Sequence, residues 1–377
     1  MGFQFQSVAS VSTFLVDELS ISYTEVGTLI GLFMLPGVVI ALPSGVLGSR
    51  FGDKRVCAFG LVLMVIGGVL MGAGQTYITV FTGRLLTGIG AVLFNVILTK
   101  MVTDWFAGKE IVTAMGVILS SWPFGIALGL VLQSAVAEAY SWPLVMYLSS
   151  GACAVAFALV IALYRPPPTA TNVQEPAGVN FKLPWRELAP VSMAGLSWGS
   201  FNAGLVIFFS FTPALLASRG MSATDAGTLV SVGLWVSLIS LPLGGYLTQR
   251  VGWPKATIAL FSLLTGVALF LLPFVPFPLG LSILVGLAIG PPAGAIVALP
   301  SQVLSAESRG QGFGVFYVWY YAAMAIGPAL AGLGRDFTGG PSAPVLIGGA
   351  MFVATVFSLA AFSVLHTSRA ARPTSTV

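Results

Sequence analysis

The sequence predicts an all-α membrane protein in which twelve transmembrane helices form two pseudo-symmetric six-helix bundles. Three observations lead to this fold class: an apolar composition, twelve long apolar segments, and an internal repeat with a spacing of 200 residues. The 377-residue chain is 56% hydrophobic and only 7% charged, and its mean hydropathy is +0.96. An ordinary soluble domain is about 25% charged. The composition therefore excludes a soluble enzyme, a nucleic-acid-binding protein and a disordered chain, and it predicts a lipid bilayer as the surrounding medium.

The apolar segments between charged or Pro/Gly-rich breaks are the candidate helices, because about 20 apolar residues are needed to cross a bilayer. They span residues 1–16, 26–48, 56–74, 77–102, 111–135, 142–164, 188–216, 226–248, 256–274, 279–304, 311–333 and 343–366. The longest polar stretch, residues 165–186, begins Arg165-Pro166-Pro167-Pro168. It is interpreted as a cytoplasmic linker between an N-terminal bundle (1–164) and a C-terminal bundle with a short tail (187–377).

Basic residues indicate the orientation. The loops after the second, fourth, sixth, eighth and tenth segments and the C-terminal tail hold 13 of the 16 Lys and Arg residues. The opposite side holds only Arg219 and Arg335, and Arg84 lies within the fourth segment. By the positive-inside rule, the basic side and the C-terminus are expected to be cytoplasmic, in a cell inner (plasma) membrane.

The second half of the chain repeats features of the first. Residues 22–29 (SYTEVGTL) correspond to 222–229 (SATDAGTL), and 45–52 (GVLGSRFG) correspond to 245–252 (GYLTQRVG), both at an offset of 200. This offset predicts two parallel repeats of six helices each.

The same offset indicates that the first helix is short. The seventh segment begins near Leu188, so its counterpart would begin near position −12. Residues 1–16 would span about 24 Å as a helix, less than the ~30 Å apolar core of a bilayer. We therefore expect the first helix to be truncated at its N-terminus and the native start to lie upstream of Met1.

Two motifs resemble those of the major facilitator superfamily. The loop from Gly45 to Arg55, Gly-x-x-x-Ser-Arg-Phe-Gly-Asp-Lys-Arg, is similar to the family motif Gly-x-x-x-Asp-Arg-x-Gly-Arg-Arg/Lys between helices 2 and 3. Arg84, Gly88 and Gly90 are similar to the family's Arg-x-x-x-Gly-x-Gly in helix 4. The resemblance extends over the whole chain and implies two six-helix halves and secondary transport by alternating access.

Two departures from the family pattern concern the loop motif. Ser49 replaces the family's Asp, and Asp53 replaces the first residue of the basic pair. The family uses that Asp in a charge network that closes the inner face, so we expect Arg50 to pair with Asp104 instead. The alternative is that the basic residues of this loop only obey the positive-inside rule. The residues expected to take part in conformational change are Gly45, Arg50, Gly52, Asp104 and Arg250.

A third departure concerns the branch of the family. The fifth segment carries Ser120-Ser121-Trp122-Pro123-Phe124-Gly125 in place of the Gly-Pro motif of drug antiporters. Phrases such as Met34-Leu35-Pro36-Gly37 are more similar to the branch of cyanate- and nitroimidazole-type permeases.

Arg84 is the strongest single candidate for a functional residue. It lies about 10 Å inside the fourth helix, where an ionised side chain should face the bundle interior or a water-filled cavity. One interpretation is an anion site or a coupling element. The other is a structural arginine that donates hydrogen bonds to the main chain. Asn95 follows on the same helical face.

Other candidates for solute binding are polar or aromatic residues at mid-membrane positions. They are Gln4 and Gln6 in the first helix, Trp198 and Asn202 in the seventh, and Tyr317, Tyr320 and Tyr321 in the eleventh. Interhelical hydrogen bonding and core packing are the alternative roles of these side chains.

The sequence contains no pattern typical of a metal or cofactor site. Cys57 and Cys153 lie in apolar segments as packing residues, and His366 is the single histidine. No Ser/His/Asp set or phosphate-binding loop occurs among the helices, so we expect a protein that is not an enzyme.

The leading functional hypothesis is a secondary active transporter, expected to be monomeric, for a small polar or anionic organic solute, coupled to a proton or a counter-anion. The alternative is a multidrug or metabolite efflux pump of the same fold. A membrane-embedded sensor or enzyme is a minor alternative.

Overall fold

The computed structural model describes residues 1–106, 111–166, 183–276, 278–305 and 308–370, and all regular structure in these ranges is helical. The α-helices are α1 (Gly2–Ser10), α2 (Ser12–Leu19), α3 (Tyr23–Leu32), α4 (Gly37–Phe51), α5 (Asp53–Gly72), α6 (Tyr77–Trp105), α7 (Ile111–Ala139), α8 (Trp142–Leu163), α9 (Trp185–Ala217), α10 (Ala223–Val251), α11 (Pro254–Leu271), α12 (Leu279–Ala288), α13 (Gly290–Val297), α14 (Arg309–Thr338) and α15 (Ser342–Ala370). Short 3₁₀ turns follow α11 and α13.

These helices make twelve crossings, as the sequence predicts. Eleven spans within the described ranges are long and apolar enough to cross a membrane. The twelfth crossing is α1 with α2, which breaks at Val11 and extends to Leu19, three residues beyond the predicted segment 1–16. The second crossing, α3 with α4, breaks before Pro36 because proline has no N–H to donate. The tenth breaks between α12 and α13, beside Pro291.

The helices pack as two bundles. In the first half α5 contacts α6 and α8, and in the second half α9 contacts α14 and α15. Two helix pairs make most of the contact between the halves, α3 with α14 and α7 with α10. The offset of 200 residues converts α3 into α10 and approximately α7 into α14, so the two joints are equivalent.

The expected linker differs slightly from the structure. Helix α9 begins at Trp185, so the last two residues of the predicted linker 165–186 are helical. Pro184 sets this start because its φ of −58° suits the residue that precedes a helix. The division of the chain at 165–186 stays a prediction, since residues 167–182 lie outside the described ranges.

The two ends of the molecule are distinguished by charge. We call the end that holds Arg50, Lys100 and Arg250 the basic end, and the opposite one the far end. Helices α3, α10 and α12 begin at the far end, whereas α5, α9 and α14 begin at the basic end.

Glycines allow the helices of one joint to approach closely. A Cβ built on Gly31 of α3 would lie 2.8 Å from the carbonyl carbon of Ala325 in α14, and one on Gly27 would lie 2.7 Å from that of Pro328. Real Cβ atoms do not approach main-chain carbons this closely. The spacing of α3 and α14 therefore depends on the absence of side chains at both positions.

Arg84 fastens three helices together inside the first bundle. Its side chain on α6 is fully buried. The Nε, Nη1 and Nη2 groups donate to the carbonyls of Leu29 (2.9 Å), Gln4 (3.1 Å) and Phe5 (2.8 Å). The guanidinium carbon also lies 4.6 Å from the centroid of the Phe33 ring. These contacts tie α6 to α1 and α3, and they favour the structural interpretation of Arg84.

We predict that Gly31→Ala lowers the apparent melting temperature in detergent, because the new methyl group must push α3 away from α14. Overpacking of this kind costs about 1–3 kcal/mol. Gly151→Ala on α8 is the matched control, since a Cβ there meets nothing within 4 Å. An equal melting temperature for both variants would contradict the close-approach argument.

We predict that Arg84→Gln destabilises the protein by about 2–4 kcal/mol, because three main-chain carbonyls lose a charged donor. Thermal unfolding in detergent measures the effect, and Arg50→Gln, at an exposed arginine, is the control. Full stability with loss of transport would instead favour the anion-binding interpretation of Arg84.

Candidate functional site

Aromatic side chains of α9 and α14 form a cluster near the middle of the membrane-spanning region. Trp198 stacks on Phe201 at 5.9 Å and on Tyr320 at 6.1 Å between ring centroids. Tyr320 in turn makes edge contacts with Tyr317 at 6.1 Å and Tyr321 at 5.1 Å. Four residues that the sequence analysis singled out therefore lie together, and we call Trp198, Phe201, Tyr317, Tyr320 and Tyr321 the aromatic cluster.

Tyr321 connects the aromatic cluster to the first bundle. Its ring packs against Gly37, where α4 begins, so a Cβ at Gly37 would meet the ring directly. Its hydroxyl also faces the Asn95 side chain on α6. Both bundles thus contribute to one group of aromatic and polar side chains, which is the arrangement needed for a site between two moving bundles.

The aromatic cluster is accessible from the basic end. Tyr317 is 39% exposed, whereas Tyr321, one turn further along the same face of α14, is only 7% exposed. These residues lie about 12 Å and 18 Å from the beginning of α14 at the basic end. Since Tyr321 faces the first bundle, the exposure of Tyr317 indicates open space between the bundles on that side.

An aromatic layer closes the molecule on the far side of the cluster. Phe5 of α1 is buried and contacts the rings of Phe33 at 5.4 Å, Trp122 at 5.2 Å and Phe209 at 6.3 Å. Phe209 lies on α9, so this layer joins the two bundles. The sequence does not reveal this layer, because the chain has 26 phenylalanines and no spacing distinguishes the three that belong to it.

Other candidate residues do not join the aromatic cluster. The Gln4 amide donates to the Met64 carbonyl at 2.8 Å and accepts from Cys153 Sγ at 3.0 Å, inside the first bundle. Gln6 is fully buried beside Gly129 of α7. Asn202 donates to the Trp198 carbonyl one turn earlier. Gln4, like Arg84, therefore supports the packing of α1 rather than the space between the bundles.

The expected pair between Arg50 and Asp104 is wrong. Lys100 lies 3.5 Å from Asp104 and forms a second ion pair with Asp53. Lys100 occupies the position four residues before Asp104 on α6 and also faces the beginning of α5, so it reaches both carboxylates. Arg50 is exposed, with its guanidinium 5.5 Å from the Phe51 ring.

The other expected gating residues lie at the ends of α4 and α10. Gly52 has φ of +88° between α4 and α5, a conformation that glycine adopts without strain. Arg250 lies in the last turn of α10, exposed, 3.5 Å from the Tyr246 hydroxyl. Gly45 belongs to α4, but its surroundings are outside the described side chains.

Comparison with curated proteins shows relatives among bacterial transporters. The Hexuronate transporter of Bacillus subtilis is 24% identical, over 97% of this chain and 90% of its own length. Multidrug resistance protein 1 of the same organism is 25% identical, over 62% of this chain and 60% of its own. The Probable L-galactonate transporter of Escherichia coli is 26% identical, over 61% of this chain and 48% of its own.

Solved structures show the same fold. The nucleoside transporter NupG superposes with a TM-score of 0.74 at 14% identity, covering 96% of this chain and 97% of that one. A bacterial homologue of the lysosomal transporter Spinster, in an inward-facing and occupied conformation, gives 0.69 at 14% identity and covers 97% and 92%.

The family assignment follows from the whole chain. Residues 1–328 and 196–376 match the Major Facilitator Superfamily. The twelve crossings and the likeness to two transporters agree with this match. The resemblance expected from the sequence motifs is confirmed, and the chain belongs to the major facilitator superfamily.

Proposed function

We propose that the protein is a secondary active transporter that moves a small polar or anionic organic solute across the inner membrane by alternating access. The observation that supports this most directly is the aromatic cluster. It is built by one bundle, contacted by the other through Tyr321 and Asn95, exposed towards the basic end and covered on the far side.

The side chains of the cluster suit a ring-bearing solute with polar substituents. Trp198 and Tyr320 offer flat aromatic faces, and Tyr317, Tyr321 and Asn95 offer hydroxyl and amide groups. A relative named for hexuronate supports a ring-bearing solute, and a relative named for L-galactonate supports a hydroxylated acid. We assign the charge of Arg84 to helix packing rather than to the solute, because three main-chain carbonyls already occupy it.

The proposed orientation places the basic end and the C-terminus in the cytoplasm, as the distribution of Lys and Arg predicts. In this orientation we interpret the structure as an inward-facing state, and we propose that the transporter works as a monomer. Alternating access then requires the far end to open and the basic end to close around the cluster.

Efflux of varied compounds is the second candidate function. The same aromatic faces would bind flat apolar molecules, and a relative is named Multidrug resistance protein 1. Binding of lipophilic cations, rather than of hydroxylated acids, would favour this alternative.

We predict that a hexuronate, an aldonate or a nucleoside raises the melting temperature of the detergent-solubilised protein. A ligand at about 100 times its dissociation constant stabilises the native state by about 2.7 kcal/mol. Nitroimidazoles and lipophilic cations complete the screen. Stabilisation by lipophilic cations alone would contradict the proposed solute class and support efflux.

We predict that Trp198→Ala and Tyr321→Phe each weaken binding of the stabilising solute by about tenfold, because stacking or one hydrogen bond is lost. Binding is measured by calorimetry and uptake by proteoliposomes. Trp253→Ala is the control, since Trp253 is 72% exposed at the basic end. Equal affinities in all three variants would refute the cluster as the solute site.

A further inference from the structure

A carboxylate of the second bundle holds the first bundle at the far end. Asp336, in the last turn of α14, accepts hydrogen bonds from the main-chain N–H groups of Tyr23 (3.0 Å) and Thr24 (2.7 Å), and from the Thr24 hydroxyl (2.6 Å). Tyr23 and Thr24 are the first two residues of α3. The neighbouring Arg335 places its guanidinium carbon 3.4 Å from the centroid of the Tyr23 ring.

A carboxylate of the first bundle holds the second bundle in the same way. Glu138, in the last turn of α7, accepts from the main-chain N–H groups of Ala223 (2.8 Å) and Thr224 (3.1 Å), and from the Thr224 hydroxyl. Ala223 and Thr224 are the first two residues of α10. Both contacts thus join a helix end of one bundle to a helix beginning of the other.

The two contacts are equivalent under the internal repeat. Thr24 and Thr224 are 200 residues apart, whereas Glu138 and Asp336 are 198 apart. The two threonines therefore match at the constant offset of 200 residues, whereas the two acids do not. Their shared geometry is visible only once the helices are packed.

The carboxylates bind N–H groups that the helices do not satisfy themselves. In α3 the Ser22 hydroxyl accepts from the third N–H, that of Glu25, at 3.2 Å, and the Glu25 carboxylate accepts from Ser22 N–H at 2.8 Å. In α10 the Ser222 hydroxyl accepts from Asp225 N–H at 3.0 Å. The first two N–H groups of each helix remain for a partner, and the helix dipole favours an anion there.

The polar contacts described at the basic end are of a different kind. Lys100 pairs with Asp53 within the first bundle. The Lys54 ammonium donates to the carbonyls of Ile161 and Tyr164, also within the first bundle. Because both contacts lie within one bundle, they stay intact when the bundles separate at the basic end. The contacts of Glu138 and Asp336 join the two bundles, so they must break when the bundles separate at the far end.

We propose that Glu138 and Asp336 are a symmetric pair of latches that hold the far end closed, and that their release opens the solute site to the far side. This proposal rests on the alternating access proposed above. Each latch exchanges two main-chain N–H groups and one hydroxyl between protein and water. The free-energy difference between the closed and the open far end is then small, so that solute binding can shift the equilibrium from one state to the other.

The latches are tested by the distance between the bundles at the far end, measured by double electron–electron resonance. Spin labels at Gln75→Cys in the first bundle and Phe274→Cys in the second report this distance, since both positions are exposed and both native cysteines are buried. The variants are Asp336→Asn, Glu138→Gln and the double variant. Each amide replaces one acceptor by a donor that faces N–H groups.

Glu25→Gln is the matched control. It removes one negative charge from the same end of α3, but its partner is Ser22 of the same helix. We expect each latch variant to raise the ratio of open to closed far ends by roughly five- to tenfold, as for loss of a charged helix cap, and the double variant to raise it by roughly the product. Glu25→Gln should leave the distances unchanged.

Unchanged distances in the double variant, or an equal shift in Glu25→Gln, would overturn the proposal. The experiment needs no solute, so its result is independent of the solute class. Longer distances in the latch variants would support the latch proposal. If no tested solute were transported in the same protein, only the proposed function would be refuted.

Discussion

The fold depends on the need to satisfy every polar group that is buried inside hydrocarbon. Two crossings of the first bundle are broken, α1–α2 at Val11 and α3–α4 before Pro36. One fully buried arginine donates to carbonyls of both broken crossings. The buried charge of Arg84 therefore ties α6 to α1 and α3 through main-chain oxygens, in a region where lipid offers no hydrogen-bonding partner.

A second constraint is the closeness of the two joints between the bundles. Gly27 and Gly31 bring α3 onto α14, and Gly227 brings α10 onto the Leu130 carbonyl of α7. Backbone-to-backbone contact gives a well-defined sliding surface, because no long side chains have to interlock and separate. The glycines let the helices of each joint pack closely, and the latches hold these joints together specifically at the far end.

The sequence predicts the crossings well, because composition and segment length alone decide which residues enter the membrane. It also predicts that Tyr317, Tyr320 and Tyr321 share one face of their helix, since helical spacing is regular. It does not predict that Trp198 of another helix stacks on Tyr320. It does not predict the partners of charged residues. Asp104 pairs with Lys100 rather than Arg50, because local packing decides among several nearby charges. The aromatic layer at Phe5 is equally invisible in a chain rich in phenylalanine.

Helix α14 carries three features on one continuous rod: Tyr321 near its middle, Gly327-Pro328 beyond it, and Asp336 in its last turn. Tyr321 and Asp336 are about 22 Å apart along the axis. A proline inside a helix weakens it locally and provides a hinge. Asp336 lies about 12 Å beyond Pro328, so a bend of about 10° there would displace Asp336 by about 2 Å, enough to break its hydrogen bonds to Tyr23 and Thr24, without moving Tyr321.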